Sequence, residues 1–206
     1  MIHSLTRRAA LALAGFNATL WSTGAHAAIA TPAQTAGPFY PPPRDRVGDE
    51  DWDLVKIEGR VREAGGEILH LFGQVFGLDG EPVENALVEI WQCDANGRYL
   101  HRDDRQDTPR DPDFQGYGAV LSDAEGAYRF RTIRPVSYPG RTPHIHARVV
   151  APGRRELVTQ LYMIDEPENQ EDWIFRSLGA ARQAAVSLDP ARRGDGDLEA
   201  GFNFVV

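Results

Sequence analysis

Short apolar or alternating segments, separated by glycine-bearing turns, fill most of the chain after Ile68. This pattern is typical of antiparallel sheets, because the turns between short strands need residues that tolerate a positive φ. It therefore predicts an all-β fold, a single antiparallel β-sandwich with long loops. The predicted strands are Ile68–Val75, Ala86–Gln92, Tyr128–Ile133, Ile145–Val150, Leu157–Tyr162 and Gly201–Val206, with turns at Leu78-Asp79-Gly80, Asn96-Gly97 and Glu125-Gly126.

One segment, Asp172–Leu188, favours a helix. In it Ile174, Leu178 and Ala181 are spaced for one helical face, and Pro190 follows as a stop. We therefore expect one short helix beside the sandwich.

The segment Ala30–Arg46 is rich in proline. It is a poor helix and a poor strand, because proline fixes φ and lacks a backbone N–H. Phe39 and Tyr40 within it favour packing against the domain. We expect an extended arm.

The amino terminus has the parts of an export signal. Arg7 and Arg8 precede an apolar run, Ala9–Leu20, and Ala25-His26-Ala27 forms a small-residue cleavage site. The apolar run is too short to span a bilayer. The paired arginines also resemble a twin-arginine signal, although an ordinary secretory signal with two arginines stays open as an alternative. We expect an exported protein, periplasmic or secreted.

This interpretation divides the chain into three parts. Residues 1–27 would be the export signal, residues 28–67 an arm with a lead-in segment, and residues 68–206 the sandwich domain. Nothing in residues 28–206 reads as a membrane span.

Charge and cysteine content narrow the function classes. The chain of 206 residues has a formal net charge of −8 and no basic run, so nucleic acid is a poor partner. Cys93 is the sole cysteine and cannot form an intrachain disulfide. We expect it to be a small buried strand residue.

A histidine pair, His144-Ile145-His146, stands at the start of a predicted strand. Side chains alternate along a strand, so both imidazoles would lie on one face, as two metal ligands require. Taken singly, each histidine could be a hydrogen-bonded strand residue, and Tyr99 and Tyr138 could be core tyrosines.

Several motifs occur together in one order. They are Trp91-Gln92-Cys93-Asp94-Ala95-Asn96-Gly97-Arg98-Tyr99, Asp111-Pro112-Asp113-Phe114-Gln115-Gly116, Phe130-Arg131-Thr132-Ile133-Arg134-Pro135, Tyr138, Arg141, His144-Ile145-His146 and Thr159-Gln160-Leu161-Tyr162. In this order and spacing they resemble the intradiol ring-cleavage dioxygenases, the family of protocatechuate and catechol dioxygenases. The resemblance covers Thr35 to Tyr162 and the last strand.

The resemblance implies a set of site residues. Tyr99, Tyr138, His144 and His146 match the family's iron ligands, which hold one non-haem Fe(III) per chain. Arg141, Gln160 and Tyr138 match its catalytic groups. Gly37, Pro38, Phe39 and Tyr40 match an arm that lines the substrate pocket, where Trp91 and Gln92 would pack beneath Tyr99.

The resemblance also implies a reaction. The ring of a catechol-type substrate would be cleaved between its hydroxylated carbons, with both atoms of dioxygen entering a muconate-type diacid. Phenolate oxygens suit Fe(III), whereas two histidines with one carboxylate suit Fe(II). In the family Tyr138 would leave the metal and take a substrate proton, while Tyr99 would stay bound. A homo-oligomer is expected by the same analogy.

Two alternatives compete with this hypothesis. The turn and strand pattern also fits an exported prealbumin-like β-sandwich binding module without catalysis, the same core with no metal chemistry. A cupin-type Fe(II) oxygenase would need a glutamate soon after His146, but Ala147–Arg155 contains none and Glu156 is the first acid.

The chain departs from the family in two places. Only Pro139 and Gly140 separate Tyr138 from Arg141, and the helical dimerisation region of catechol-type enzymes is absent. These features resemble the protocatechuate-type subunits and favour an open pocket, with the natural catechol left open.

Overall fold

The computed structural model describes residues 29–206. The predicted export signal lies outside this range. Ten strands form two five-stranded sheets, and two short α-helices lie near the carboxyl end of the described part. The strands are β1 (Ile68–Phe76), β2 (Leu87–Trp91), β3 (Tyr117–Leu121), β4 (Ala127–Ile133), β5 (His144–Val150), β6 (Leu157–Met163), β7 (Ser187–Leu188), β8 (Ala191–Arg192), β9 (Leu198–Gly201) and β10 (Phe204–Val205).

The first sheet is built around β1. On one edge β1 pairs antiparallel with β4, and on the other it pairs parallel with β9 and β10. The prediction of one continuous last strand, Gly201–Val206, is therefore wrong, because this part of the chain forms β10 and the end of β9. Between β9 and β10 the backbone approaches β1 so closely that a Cβ at Gly73 would lie 1.7 Å from the Phe202 carbonyl oxygen. Only glycine fits there.

The second sheet has the order β3-β2-β5-β6-β7, antiparallel except for the parallel pair β6 and β7. β3 was not predicted, because its short sequence contains Gly118. A Cβ at Gly118 would lie 2.5 Å from the Asp51 carbonyl oxygen, so the lead-in segment packs directly on this strand.

The core lies between the two sheets. Leu71 and Phe130 of the first sheet and Ile90, Ile145 and Leu161 of the second belong to one buried cluster. Burial of each such side chain stabilises the fold by about 1.5–3 kcal/mol. The predicted all-β sandwich is confirmed, with the correction that both sheets are mixed.

The single helix predicted over Asp172–Leu188 is wrong. α1 spans Trp173–Ser177 and α2 spans Ala180–Ala184, and the end of the predicted helix is instead β7. Gly179 separates the helices with φ of 73°, a conformation that ends a helix. Neither helix in the described residues is long and apolar enough to cross a membrane.

The proline-rich segment Ala30–Arg46 packs as an extended arm, as predicted. The Thr31 N–H donates to the Val205 carbonyl at 3.1 Å, and the Gln34 N–H donates to the Val158 carbonyl at 2.8 Å. The arm thus adds to the edges of both sheets. One turn of 3-10 helix, Pro43–Asp45, interrupts it.

Cys93 is buried, as predicted, but it lies beyond the end of β2 rather than within a strand. Burial raises the pKa of its thiol to about 12, so the group stays protonated.

Candidate metal centre

The predicted histidine ligands lie on the outer face of the second sheet, the face turned away from the core. β5 places His144 and His146 on this face while Ile145 between them enters the core. Trp91 of β2 and Gln160 of β6 are the cross-strand neighbours of His146 on either side. Because cross-strand neighbours share a face, these side chains form one row. The prediction that both imidazoles point the same way is confirmed.

The tautomer of His144 follows from its backbone contact. Its Nδ1 lies 2.7 Å from the Thr142 carbonyl oxygen, which can only accept a hydrogen bond. Nδ1 therefore carries the proton, and the lone pair of Nε2 is free. Burial, together with the nearby charge of Arg141, lowers the pKa of His144 to about 3, so the ring is neutral.

His146 presents its Nε2 to the same point. The Nε2 atoms of His144 and His146 are 3.1 Å apart. The His146 ring stacks on Trp91 with centroids 4.8 Å apart and an interplanar angle of 6°. Burial and the neighbouring His144 lower the pKa of His146 well below its usual value. Its Nδ1 has no hydrogen-bond partner among residues 29–206, so the stacking on Trp91 and the contact of Nε2 with His144 orient this ring.

Tyr99 reaches the histidines from the loop after β2. Its hydroxyl oxygen lies 3.4 Å from His144 Nε2, and its side chain is buried. The loop is held by Asp104, whose carboxylate accepts a hydrogen bond of 2.7 Å from the Tyr99 N–H. Burial raises the pKa of Tyr99 well above its usual value, and Tyr138 nearby adds to the rise.

Tyr138 comes from the loop between β4 and β5. Its ring stands edge-on to Tyr99, with centroids 5.3 Å apart and an interplanar angle of 90°. Burial raises the pKa of Tyr138, although Arg141 opposes the rise. Both phenols therefore keep their protons unless a cation stabilises the phenolate.

Arg141 points into the same pocket. Its Nη1 lies 3.5 Å from His144 Nε2, while its Nη2 donates a 2.6 Å hydrogen bond to Gln160 Oε1. On a regular strand Arg141 would face away from the imidazoles, but Pro143 intervenes and β5 begins only at His144. The Gln160 amide is oriented by a 2.9 Å bond from its Nε2 to the Thr35 carbonyl.

The arm covers the pocket. Gly37 lies so near that a Cβ on it would stand 3.4 Å from His146 Cε1, and its φ of 66° is one that glycine adopts readily. Pro38 follows and is exposed. Phe39 stacks on Tyr99 with ring centroids 4.9 Å apart.

Tyr40 anchors the arm to β2 through contacts with Trp91 and Glu89. Its ring packs edge-on against Trp91 at 4.9 Å. Its hydroxyl donates to Glu89 Oε1 at 3.1 Å, and the same carboxylate accepts from Tyr117 at 2.5 Å and Arg148 at 2.7 Å. Glu89 is buried and fully partnered.

The donor set fits one class of metal. His144 Nε2 lies 3.1 Å from His146 Nε2 and 3.4 Å from the Tyr99 hydroxyl oxygen, and a second phenol, Tyr138, stands beside Tyr99. Within residues 29–206 no three His, Cys, Asp or Glu residues come together, so the carboxylate of an Fe(II) triad is not supplied there. Phenolates and imidazoles together suit ferric iron. The residues therefore fit Fe(III).

Sequence reasoning misplaced one residue and missed others. Gln92 does not pack beneath Tyr99, because its amide bonds Thr132 and the Ile133 carbonyl. His70 pairs with Asp197 on the first sheet, outside the group as expected. His101 lies on a loop and is not among the converging donors, although its ring is 5.8 Å from that of Phe39.

Three buried acids, Glu89, Asp104 and Asp172, were not predicted to support the site. Asp172 is bonded to Arg141. The local sequence marked Asp172 only as the start of a helix, so its second contact had no sequence signal.

Comparison with known proteins shows similarity to dioxygenases in sequence and in fold. A family model described as Dioxygenase matches residues 36–206. The protocatechuate 3,4-dioxygenase beta chain of Burkholderia cepacia is 42% identical over 161 residues, covering 72% of this chain and 68% of that protein. Catechol 1,2-dioxygenase 2 of Acinetobacter lwoffii is 36% identical over 143 residues, covering 59% of this chain. The chain spans 50% of the length of that catechol relative.

Among solved structures, the dioxygenase domain of a dioxygenase carbohydrate-binding protein fusion from Streptomyces sp. SirexAA-E superposes with a TM-score of 0.67 at 32% identity. The match covers 86% of this chain and 98% of that domain.

Proposed function

This chain belongs to the intradiol ring-cleavage dioxygenase family, and on that premise we propose that it binds one ferric iron and cleaves a catechol-type ring between its hydroxylated carbons, incorporating both atoms of dioxygen. The product would be a muconate-type diacid. The observation that carries this proposal is the convergence of Tyr99 Oη, His144 Nε2 and His146 Nε2 in one buried pocket, with Tyr138 beside them.

The metal would be held by Tyr99, Tyr138, His144 and His146. Bound ferric iron would supply a Lewis-acid centre that binds the catecholate and accepts electron density from its ring. Tyr99 is the more buried phenol and serves as the permanent anionic ligand. Tyr138 is half-buried, and as the phenolate that would leave the metal it would take a proton from a substrate hydroxyl.

Arg141 and the arm complete the pocket. The guanidinium stays charged and stabilises negative charge that develops on the bound ring. Gln160 holds one side of that guanidinium. Gly37 and Phe39 close the pocket over His146 and Tyr99 and exclude water.

The decisive experiment is a visible absorption spectrum of the purified protein with its iron content, before and after anaerobic addition of catechol. We expect a broad phenolate-to-Fe(III) band that shifts when catechol binds. Admission of isotopically labelled dioxygen should then place both labelled atoms in the product.

A matched control separates this function from a binding module. His70→Ala, on the other sheet, should keep the band, and His146→Ala should lose it. A featureless spectrum in protein purified from iron-replete cells would overturn the proposal and favour a prealbumin-like binding module.

For the substrate, we propose a catechol that carries a ring substituent. In support, the beta chain relative acts on protocatechuate by its name, and only Pro139 and Gly140 separate Tyr138 from Arg141. Turnover of catechol, protocatechuate, hydroxyquinol and bulkier 4-substituted catechols should be compared. A sharp preference for unsubstituted catechol would contradict an open pocket.

We also propose that the protein is exported and assembles as a homo-oligomer. Support for export is the arginine pair and cleavage pattern of residues 1–27. Replacement of Arg7 and Arg8 by lysine should hold the iron-loaded protein in the cytoplasm if the twin-arginine route is used. Light scattering of the purified protein tests the assembly state.

A further inference from the structure

A buried carboxylate stands directly behind the pocket arginine. The side chain of Asp172 is 0% exposed, and its Oδ2 accepts hydrogen bonds from Arg141 Nε at 2.7 Å and from the Thr142 N–H at 3.1 Å. Its Oδ1 accepts from the Ile174 and Phe175 N–H groups at 2.9 Å each. One carboxylate thus joins the Arg141 loop to the start of α1.

These contacts determine which way the guanidinium faces. Arg141 has three nitrogens; Nε is bonded to Asp172 and Nη2 to Gln160. The remaining nitrogen, Nη1, is the one directed at His144 Nε2. The guanidinium is planar and rigid. When Nε and Nη2 are both held by hydrogen bonds, the group cannot turn, so the direction in which Nη1 points is determined.

The two partners do different work. Gln160 accepts a hydrogen bond with a neutral amide oxygen. Asp172 is charged, and it accepts the hydrogen bond from Nε, the nitrogen that joins the guanidinium to the rest of the side chain. An asparagine could not replace Asp172, because its side chain has a single acceptor oxygen. That oxygen cannot accept hydrogen bonds from Arg141 and Thr142 and also from the two N–H groups at the start of α1.

We propose that Asp172 is a positioning residue for the ring-cleavage step, which aims Arg141 Nη1 at the bound substrate. This role rests on the proposed function, since it acts through Arg141 on the catechol ring. Within residues 29–206 Asp172 makes no hydrogen bond to a candidate metal ligand, and it reaches His144 only through Thr142 and Arg141. Its main effect should therefore appear in turnover rather than in metal binding.

The test compares Asp172→Asn with the control Asn169→Ala. Asn169 is a buried polar residue of the same segment that accepts a bond from Thr142 and donates to the Met163 carbonyl, with no bond to Arg141. For each protein, iron content, the visible band, the anaerobic dissociation constant for catechol and kcat are measured.

For Asp172→Asn we expect full iron content, an unchanged resting band and a kcat lower by about 10- to 100-fold. The anaerobic dissociation constant for catechol should change by less than about threefold, and Asn169→Ala should keep kcat within about threefold of wild type. A kcat of Asp172→Asn within that same range would overturn the proposal.

Arg141→Ala provides a second, independent test. If Asp172 acts through Arg141, adding Asp172→Asn to Arg141→Ala should change kcat by less than about twofold. An equal further drop in that background would overturn the positioning role and indicate a structural one.

Asp172→Ser covers the case in which the asparagine variant does not fold. Serine still caps a helix but cannot form an ion pair with a guanidinium.

The two proposals can fail separately. A wild-type protein that lacks both the iron band and turnover would overturn the proposed function. The crystal structure of Asp172→Ser tests the aiming of Arg141 separately: Nη1 displaced from His144 Nε2 supports it, and Nη1 in its original place overturns it.

Discussion

At the scale of residues, the candidate metal centre depends on two neutral imidazole rings, those of His144 and His146, whose Nε2 atoms point toward one position. His144 is oriented by the Thr142 carbonyl and His146 by stacking on Trp91, so their Nε2 atoms meet 3.1 Å apart. A metal ion held there would take one nitrogen ligand from each ring.

His146→Ala should therefore empty the site, whereas Tyr138→Phe should retain part of the iron, because Tyr99 and both histidines remain. The retained iron should support little turnover, since the base for the substrate proton is gone. Iron per chain and the visible band give the measurement. Equal iron occupancy in the two variants would contradict these separate roles.

Asp172 also predicts a pH dependence of stability. Burial opposes its ionisation, but hydrogen bonds from the Phe175 N–H and Arg141 outweigh burial and lower its pKa. Its ionised form thus stabilises the folded state above about pH 4, and this contribution is lost as the pH falls through the lowered pKa.

Asp172→Asn should accordingly lower the free energy of unfolding by about 3 kcal/mol at neutral pH, because Arg141 loses its charged partner. The difference from wild type should shrink below about pH 4. Urea unfolding at several pH values measures it. A difference that stays constant across that range would argue against the lowered pKa.

At the scale of elements, the break between α1 and α2 shows how one residue ends a helix. The apolar spacing continues through Leu178 and Ala181, but Gly179 adopts a φ of 73° between them. An L-residue is strained in that conformation, so the helical pattern cannot continue as one helix.

Gly179→Ala should lower the free energy of unfolding by about 1–2 kcal/mol. Gly194→Ala is the matched control, because a Cβ there meets nothing within 4 Å and the backbone has no positive φ. The control should stay within about 0.5 kcal/mol of wild type. Equal urea midpoints for the two variants would show that the break at Gly179 is not enforced by backbone strain.

The arm is a second element whose position depends on a few bonds. Tyr40→Phe keeps the ring against Trp91 but removes the hydrogen bond to Glu89. We expect the arm to open about fivefold more often, corresponding to about 1 kcal/mol, as measured by hydrogen exchange at the Gln34 N–H.

Tyr117→Phe is the control for the arm. It removes a hydroxyl bonded to the same Glu89 oxygen but belongs to β3. It should lower global stability without selectively exposing the arm. Similar exchange at Gln34 in both variants would mean that the Tyr40 hydroxyl does not anchor the arm.

At the scale of the whole molecule, the site is separate from the core. The core lies between the sheets, and the site lies on the outer face of the second sheet beneath the arm and two loops. A metal there would connect the Tyr99 loop, the Tyr138 loop and β5, which are otherwise joined through the sheet. Metal binding should therefore stabilise the fold as a whole.

Removal of iron by a chelator should lower Tm. If free iron exceeds its Kd by 100-fold, the stabilisation is about 2.7 kcal/mol, which for a chain of this size corresponds to about 5–10 °C. Calorimetry of the loaded and stripped protein measures the change. His146→Ala should show no iron-dependent change, and a Tm independent of iron in wild type would contradict a metal at this site.

The sequence by itself determined the five strands β1, β2, β4, β5 and β6 and which of their side chains share a face. Alternation placed His144 and His146 on one side, glycine turns separated the strands, and the order of motifs indicated the family. These features depend on neighbours within a few residues, so a single sequence carries them.

Only the tertiary structure decided the rest. The parallel pairing of β9 and β10 with β1, the approach of Tyr99 to His144 and the bond from Arg141 to Asp172 join segments far apart in the chain. Their distances depend on sheet register and loop packing, which no local periodicity encodes. For that reason the ligand types could be predicted from the residues, while the carboxylate that aims the arginine became visible only in the fold.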